Sequence, residues 1–182
     1  MSSARIDPML DILSTALLLL ISPGSAAATL KFTAPAGWES KTPASSMRVA
    51  EWTLPKADGD KDDASLVVYY FGASGGGGVQ ANMDRWIGQM TQPDGRPSKE
   101  VAKTSAMTVN GLKVSDVDVT GTYTAEMSPG AAEHFNSPGW RLRAAVIETS
   151  GGAYYVKLTG PAKTVAKWDA SYAAFLKSLK YE

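Results

Sequence analysis

The run Leu66-Val67-Val68-Tyr69-Tyr70-Phe71 constrains the fold more than any other segment, because it offers no polar face. A strand with one solvated face alternates apolar and polar side chains, so a strand apolar on both faces needs cover on each side of its sheet. Two segments have the spacing to supply that cover. Val79, Met83, Trp86, Ile87 and Met90 form one stripe, which predicts a helix over 79–90. Val165, Trp168, Tyr172, Phe175, Leu176 and Leu179 form another, which predicts an unbroken closing helix that starts at Gly160-Pro161, with proline where its missing N–H costs nothing. The expectation is an α+β fold, a three-layer α/β/α sandwich with two main helices on a mostly antiparallel sheet of six or seven strands.

The remaining strands follow from period-two alternation and turn residues. Leu30 to Phe32 opens a strand that Pro35-Ala36-Gly37 stops, and Trp38 follows as a core anchor. Met47 to Leu54 alternates Ala50, Trp52 and Leu54 against Val49 and Glu51. Val101–Val109 and Leu112–Thr122 are joined by Asn110-Gly111, a hairpin signal, and Leu142–Thr149 and Ala153–Thr159 by Ser150-Gly151-Gly152. Leu112 and Val114 share one face of their strand while Val117 and Val119 share the other, which suggests a bulge near Ser115.

Residues 1–28 read as an export signal. Ile12 to Ile21 is a mostly apolar run of ten residues ended by Pro23-Gly24, and Ser25-Ala26-Ala27-Ala28 supplies small residues for cleavage after Ala27 or Ala28. Ten helical residues rise only about 15 Å, half of a bilayer core, so a permanent anchor is disfavoured. The short n-region departs from the usual pattern, with Arg5 its only basic residue beside Asp7 and Asp11. The expectation is a periplasmic or secreted single domain over 29–182 that meets the membrane only through the signal segment before cleavage. With no cysteine in the chain, this domain must hold by its core without disulfides. Removing the signal leaves 17 basic against 16 acidic residues, and a surface so close to neutral argues against nucleic acid as a partner.

Several of these features occur together in one known group. The opening strand into Pro35-Ala36-Gly37-Trp38, the Met47-Arg48-Val49-Ala50-Glu51-Trp52 strand, the glycine-rich entry into the first helix and the closing Lys157-Leu158-Thr159-Gly160-Pro161 before an aromatic helix resemble the PsbP-like family. The resemblance spans most of 30–179 and implies the sandwich just described. The group includes an extrinsic photosystem II subunit, a Ran-GTPase-binding protein and exported bacterial domains, so the resemblance implies a binding role and transfers no active site.

Candidate chemistry is sparse. Gly75-Gly76-Gly77-Gly78 lies between a strand and a helix N-terminus, where backbone N–H groups can hold an anion. Val79 and Gln80 stand where a phosphate loop needs Lys and Ser or Thr, so a crossing loop is the better reading. Asp58, Asp60 and Asp62 alternate as a calcium loop begins, but Asp63 occupies its glycine position and Tyr69 its closing glutamate. Asp116 and Asp118 share a strand face as a glycosidase pair would, and equally as any solvated face does. His134 is the only histidine, and no Gly-x-Ser-x-Gly elbow accompanies it, so neither catalytic residues nor a metal or cofactor is assigned.

The segment from Tyr123 to Trp140 is longer than a hairpin needs and carries Ser-Pro-Gly twice, at Ser128 and Ser137. Tyr123, His134, Phe135, Trp140 and Arg141 give it the aromatic and arginine makeup of an interface, against the simpler reading of an idle insertion. The sequence therefore points to a non-enzymatic extracytoplasmic binding domain whose partner is a protein or envelope component. A small-ligand or lipid carrier is the alternative, and a hydrolase the third.

Overall fold

The computed structural model describes residues 28–182, so the expected signal segment lies, but for Ala28, outside the described residues. Among the described residues there are ten strands: β1 Leu30–Lys31, β2 Glu39–Lys41, β3 Arg48–Leu54, β4 Ala64–Tyr70, β5 Met90–Thr91, β6 Lys103–Val109, β7 Leu112–Tyr123, β8 Ser137–Thr149, β9 Gly152–Pro161 and β10 Lys180–Tyr181. The helices are α1 Val79–Ile87, α2 Ala162–Lys167 and α3 Asp169–Lys177, with one 3-10 turn at Ser98–Glu100.

Eight strands form one antiparallel sheet in the order β2-β3-β4-β9-β8-β7-β5, and β6 also pairs with β7. A separate two-stranded sheet joins β1 to β10, with Leu30 opposite Tyr181. Long hairpins organise the whole. Asn110 and Gly111 both take positive φ in a two-residue turn that sets Val109 opposite Leu112. β8 and β9 pair without a break from Trp140–Pro161 to Thr149–Gly152.

Two apolar clusters lie on opposite faces, as the β4 run requires. One holds Leu54, Leu66, Val68, Val156, Leu158, Val165, Tyr172, Phe175 and Leu179. The other holds Met83, Trp86, Val117, Val119, Leu142, Val146 and Tyr155.

The three-layer α/β/α sandwich with two main helices is not what covers them. The described residues are mostly antiparallel sheet, and their helices have only nine, six and nine residues. The expectation treated a helix as the sole means of covering an apolar face. Here the strands' own side chains do much of it: Tyr69, Trp140 and the small Ala153 pack against the second cluster from the sheet itself. On the first, Phe32, Trp38 and Trp52 crowd Phe175 at centroid distances of 5.4, 5.3 and 5.8 Å.

Three local expectations change with it. The first helix stops at Ile87, Gly88 caps it, and Met90 reaches the core from β5, opposite Tyr123. The closing helix breaks at Trp168, whose backbone leaves the helical region while its indole N–H donates to the Pro55 carbonyl at 2.9 Å. Pro161 belongs to β9, and Trp168 is half-exposed where Tyr172 and Phe175 are fully buried. Finally, β7 has no bulge at Ser115, since its register with β8 is unbroken from Lys113 to Gly121 and shifts only between Gly121 and Tyr123. Asp116 is buried in phase with Leu112 and Val114, so a polar residue at an inward position imitated a change of face.

Candidate functional site

β7 ends at Tyr123 and β8 begins at Ser137, so the excursion between them spans 124–136. The first Ser-Pro-Gly lies at its tip, with Gly130 at φ +76, whereas the second opens β8 and is part of the sheet. The excursion is held by its own hydrogen bonds. Glu126 bridges His134, Met127 N–H donates to the Glu133 carbonyl at 3.0 Å, and Phe135 N–H donates to the Ala125 carbonyl at 2.9 Å. The Glu126 carboxylate accepts from Gly130 N–H at 2.8 Å, closing the turn. His134 Nδ1 lies 2.9 Å from the Thr124 carbonyl while its ring is exposed.

Of the five candidate residues, three form one cluster. Tyr123 stacks on Trp140 at 5.7 Å and meets Phe135 at 5.3 Å. Tyr123 is buried, Phe135 and Trp140 are half-exposed, and Met127 near the tip is 55% exposed. Arg141 does not join them, because successive strand residues face opposite ways.

The aromatic cluster continues into a polar pair that the sequence reading did not single out. Lys157 on β9 donates to the Tyr123 hydroxyl at 2.8 Å and to Gln89 Oε1 at 2.7 Å, with its ammonium 5.1 Å from the Tyr123 ring centroid. Burial, with the Arg85 charge adding to it, pushes the Lys157 ammonium down to about 8. Burial raises the Tyr123 phenol to about 12, and the nearby Tyr69 adds to the effect. A lysine inside an otherwise apolar strand was the only sequence signal for this pair.

Arg141 belongs to an ion network on the other face. Its Nε and Nη2 grip Asp118 at 2.7 and 2.6 Å, and its Nη1 donates to Asp169 at 2.9 Å. Arg143 spans Asp169 and Asp116 at 3.0 and 3.2 Å, with its guanidinium 4.3 Å from the Tyr172 ring centroid. The Tyr172 hydroxyl donates to Asp116 at 2.9 Å. Burial raises the Asp116 carboxyl, and the Arg143 charge and the Tyr172 hydrogen bond oppose that rise. The solvated-face reading of Asp116 and Asp118 is therefore replaced: these carboxylates clamp α3 to β7 and β8.

The glycine loop is also fixed in place. Asn82 donates to the Gly76 and Gly78 carbonyls at 2.7 and 2.9 Å, and the Tyr155 hydroxyl donates to the Gly77 and Gly75 carbonyls at 2.8 and 3.3 Å. Gly76 has no alternative residue, since a Cβ there would sit 2.5 Å from the Tyr155 ring at a φ of +84. These contacts satisfy carbonyls and place no cation beside Gly75 to Gly78. The 58–63 loop docks on α2, with Asp60 accepting from Thr164 at 2.6 Å and Asp63 accepting from Lys56 N–H at 2.9 Å. Among the described residues no three acidic or histidine side chains converge to hold a metal ion, and no helix is long and apolar enough to cross a membrane.

No family model and no curated protein matches the chain. Among solved structures it is similar to that of a Pseudomonas aeruginosa protein of unknown function, at 15% identity over 85% of this chain and 97% of that one, with a TM-score of 0.48. A likeness at that level carries no argument about function, and that structure says nothing of the PsbP-like group.

Proposed function

We propose that residues 29–182 act after export, in the periplasm or outside the cell, as a non-enzymatic binding domain for a protein or envelope component, with the 124–136 excursion as its docking element. One observation carries this reading. The excursion is tied down by its own hydrogen bonds, yet it holds Met127 at 55% exposure and Phe135 half-exposed, with the half-exposed Trp140 following on β8. Ordering apolar side chains against water is unfavourable unless something covers them, and aromatic residues and methionine are the types enriched where a partner does so. Because the segment is already ordered, little conformational entropy is lost on docking.

Photo-crosslinking in host cells tests this. A photoreactive residue at position 127 should give a discrete adduct, and one at the exposed position 62 should not. Equal labelling from both positions, or none from 127, would remove the excursion's role. The small-ligand alternative rests on a different feature, an open groove of about 420 Å³ between α1 and β6 walled in part by Val79, Met83 and Ile87. A ligand bound there would appear as a mass adduct on protein taken gently from its host.

A further inference from the structure

The two ends of the large sheet are finished differently. At one end β2 has three residues, of which Glu39 and Lys41 are charged. Short, charged strands of this kind resist pairing with another chain. At the other end β6 runs for seven residues from Lys103 to Val109, and among the described residues its outer edge has no partner. It contains neither proline nor glycine, pairs with β7 in unbroken register, and is exposed at every position but the last. Its one charge, Lys103, stands at the extreme end, so none of the usual protections of an edge is present.

The turn geometry shows which backbone groups this edge offers. In a two-residue hairpin the closing pair, here Val109 and Leu112, is hydrogen-bonded, and bonded and unbonded pairs alternate away from it. Val109, Met107, Ser105 and Lys103 therefore bond to β7, while Thr104, Ala106 and Thr108 direct N–H and C=O outward. That outward set is palindromic about Ala106.

We propose that β6 pairs antiparallel with β6 of a second copy across a two-fold axis at Ala106, joining two sheets into one. Thr104 then stands opposite Thr108 and Ala106 opposite itself, and about six backbone hydrogen bonds form. Facing threonines are a favourable cross-strand pair. The arrangement is isologous, as a two-fold interface must be. Lys103 falls opposite Val109, so no like charges are opposed, and the near-neutral chain adds no general repulsion. A strand of seven residues is only about 24 Å long, which places the contact below the standard interface size and makes the dimer weak and concentration-dependent.

Sedimentation velocity on protein purified from its host, from about 5 to about 500 µM, spans the range such a contact requires. The expected result is a monomer at the low end and a dimer at the high end. Amide exchange at Thr104, Ala106 and Thr108 should slow with concentration, while Ser105 and Met107, already bonded to β7, should not change. Ala106→Pro removes an outward donor without touching the β7 ladder and should keep the protein monomeric throughout. If its circular dichroism shows that it does not fold, Ala106→Lys makes the same test by opposing two charges on the axis. A monomer at the highest concentration would overturn the proposal, as would a dimer unchanged in both variants. Slowed exchange that appears only on adding host extract would overturn it too, since the occupant would then be another chain.

Discussion

Replacing Arg143 with methionine should be among the most damaging single changes on the ion-network face. The substitution keeps the length of the stem but removes the charge that faces Asp116 at 3.2 Å, and the two side chains are only 16% and 6% exposed. Removing one partner of a buried pair costs about 3–5 kcal/mol, because the remaining charge stays desolvated. The Tyr172 hydroxyl still donates to Asp116 in the variant, so the lower end of that range, about 3 kcal/mol, applies. The bond to Asp169 adds little, since that carboxylate is 40% exposed. Against a total stability of about 5–15 kcal/mol this is a large loss. With a urea slope of about 2 kcal/mol/M, the unfolding midpoint should fall by about 1.5 M. Lys99→Met breaks an exposed contact of 3.8 Å with Asp84 and should cost no more than about 0.5 kcal/mol.

The difference between Arg143→Met and the native protein should also depend on pH. Burial raises the Asp116 carboxyl in the folded state, and Arg143 works against that rise. A carboxyl raised on folding contributes stability that is complete below its unfolded value and is lost as pH rises through the folded one. Removing Arg143 lifts the folded value further, so the deficit should be largest near neutrality and shrink as pH falls toward 4. Equal urea midpoints for the Arg143 and Lys99 variants, or a deficit that grows on acidification, would refute the reasoning.

Three further outcomes are expected. Lys157, depressed to about 8, contributes stability that is present above the unfolded lysine value and lost as pH falls through 8, so the native protein should gain stability relative to Lys157→Met between pH 8 and 10, read by chemical denaturation. Phe175→Ala should cost about 3–5 kcal/mol and exceed Trp168→Ala although tryptophan is larger, because Phe175 is fully buried and Trp168 half-exposed; thermal melts in the reverse order would contradict the packing described. Asn82→Ala strands the Gly76 carbonyl, while the Gly78 carbonyl keeps the backbone N–H of residue 82 at 3.2 Å, and should cost about 1–3 kcal/mol, with faster amide exchange in the 72–78 loop as its local sign.

The longer strands were legible in this sequence because turn residues bound them and, β4 apart, alternation marks them, whereas the short β2, β5 and β10 carry no such pattern. Asn110-Gly111 gave both the hairpin and its register, and the double-sided β4 run correctly demanded cover on two faces. What supplied the cover was not legible. Covering a strand face is a matter of shape, and Tyr155 meets Phe71 and lies opposite Tyr69 only after β4 and β9 pair. The break at Trp168 depends on a hydrogen bond to Pro55, more than a hundred residues earlier, which no local pattern contains. The candidate site divides in the same way. Tyr123, Phe135 and Trp140 were found because aromatic residues flanked an overlong connection. Arg141 was grouped with them by adjacency and separated by the pleat. Asp116 and Asp118 read as solvated because alternating carboxylates normally are, and only the arrival of Arg141, Arg143 and Tyr172 from other elements makes their burial tolerable.

The docking role of the excursion is tested most directly by methionine-methyl NMR, because the described methionines are well placed as reporters. Met127 sits on the excursion, Met107 on β6, Met47 just before β3, and Met83 and Met90 in the core. Methyl-labelled protein titrated with solubilised envelope components from its host should show the Met127 signal shifting or broadening first, with Met83 and Met90 unchanged. A titration that moves Met107 or Met47 and leaves Met127 in place would contradict the account and put the binding surface elsewhere on the sheet.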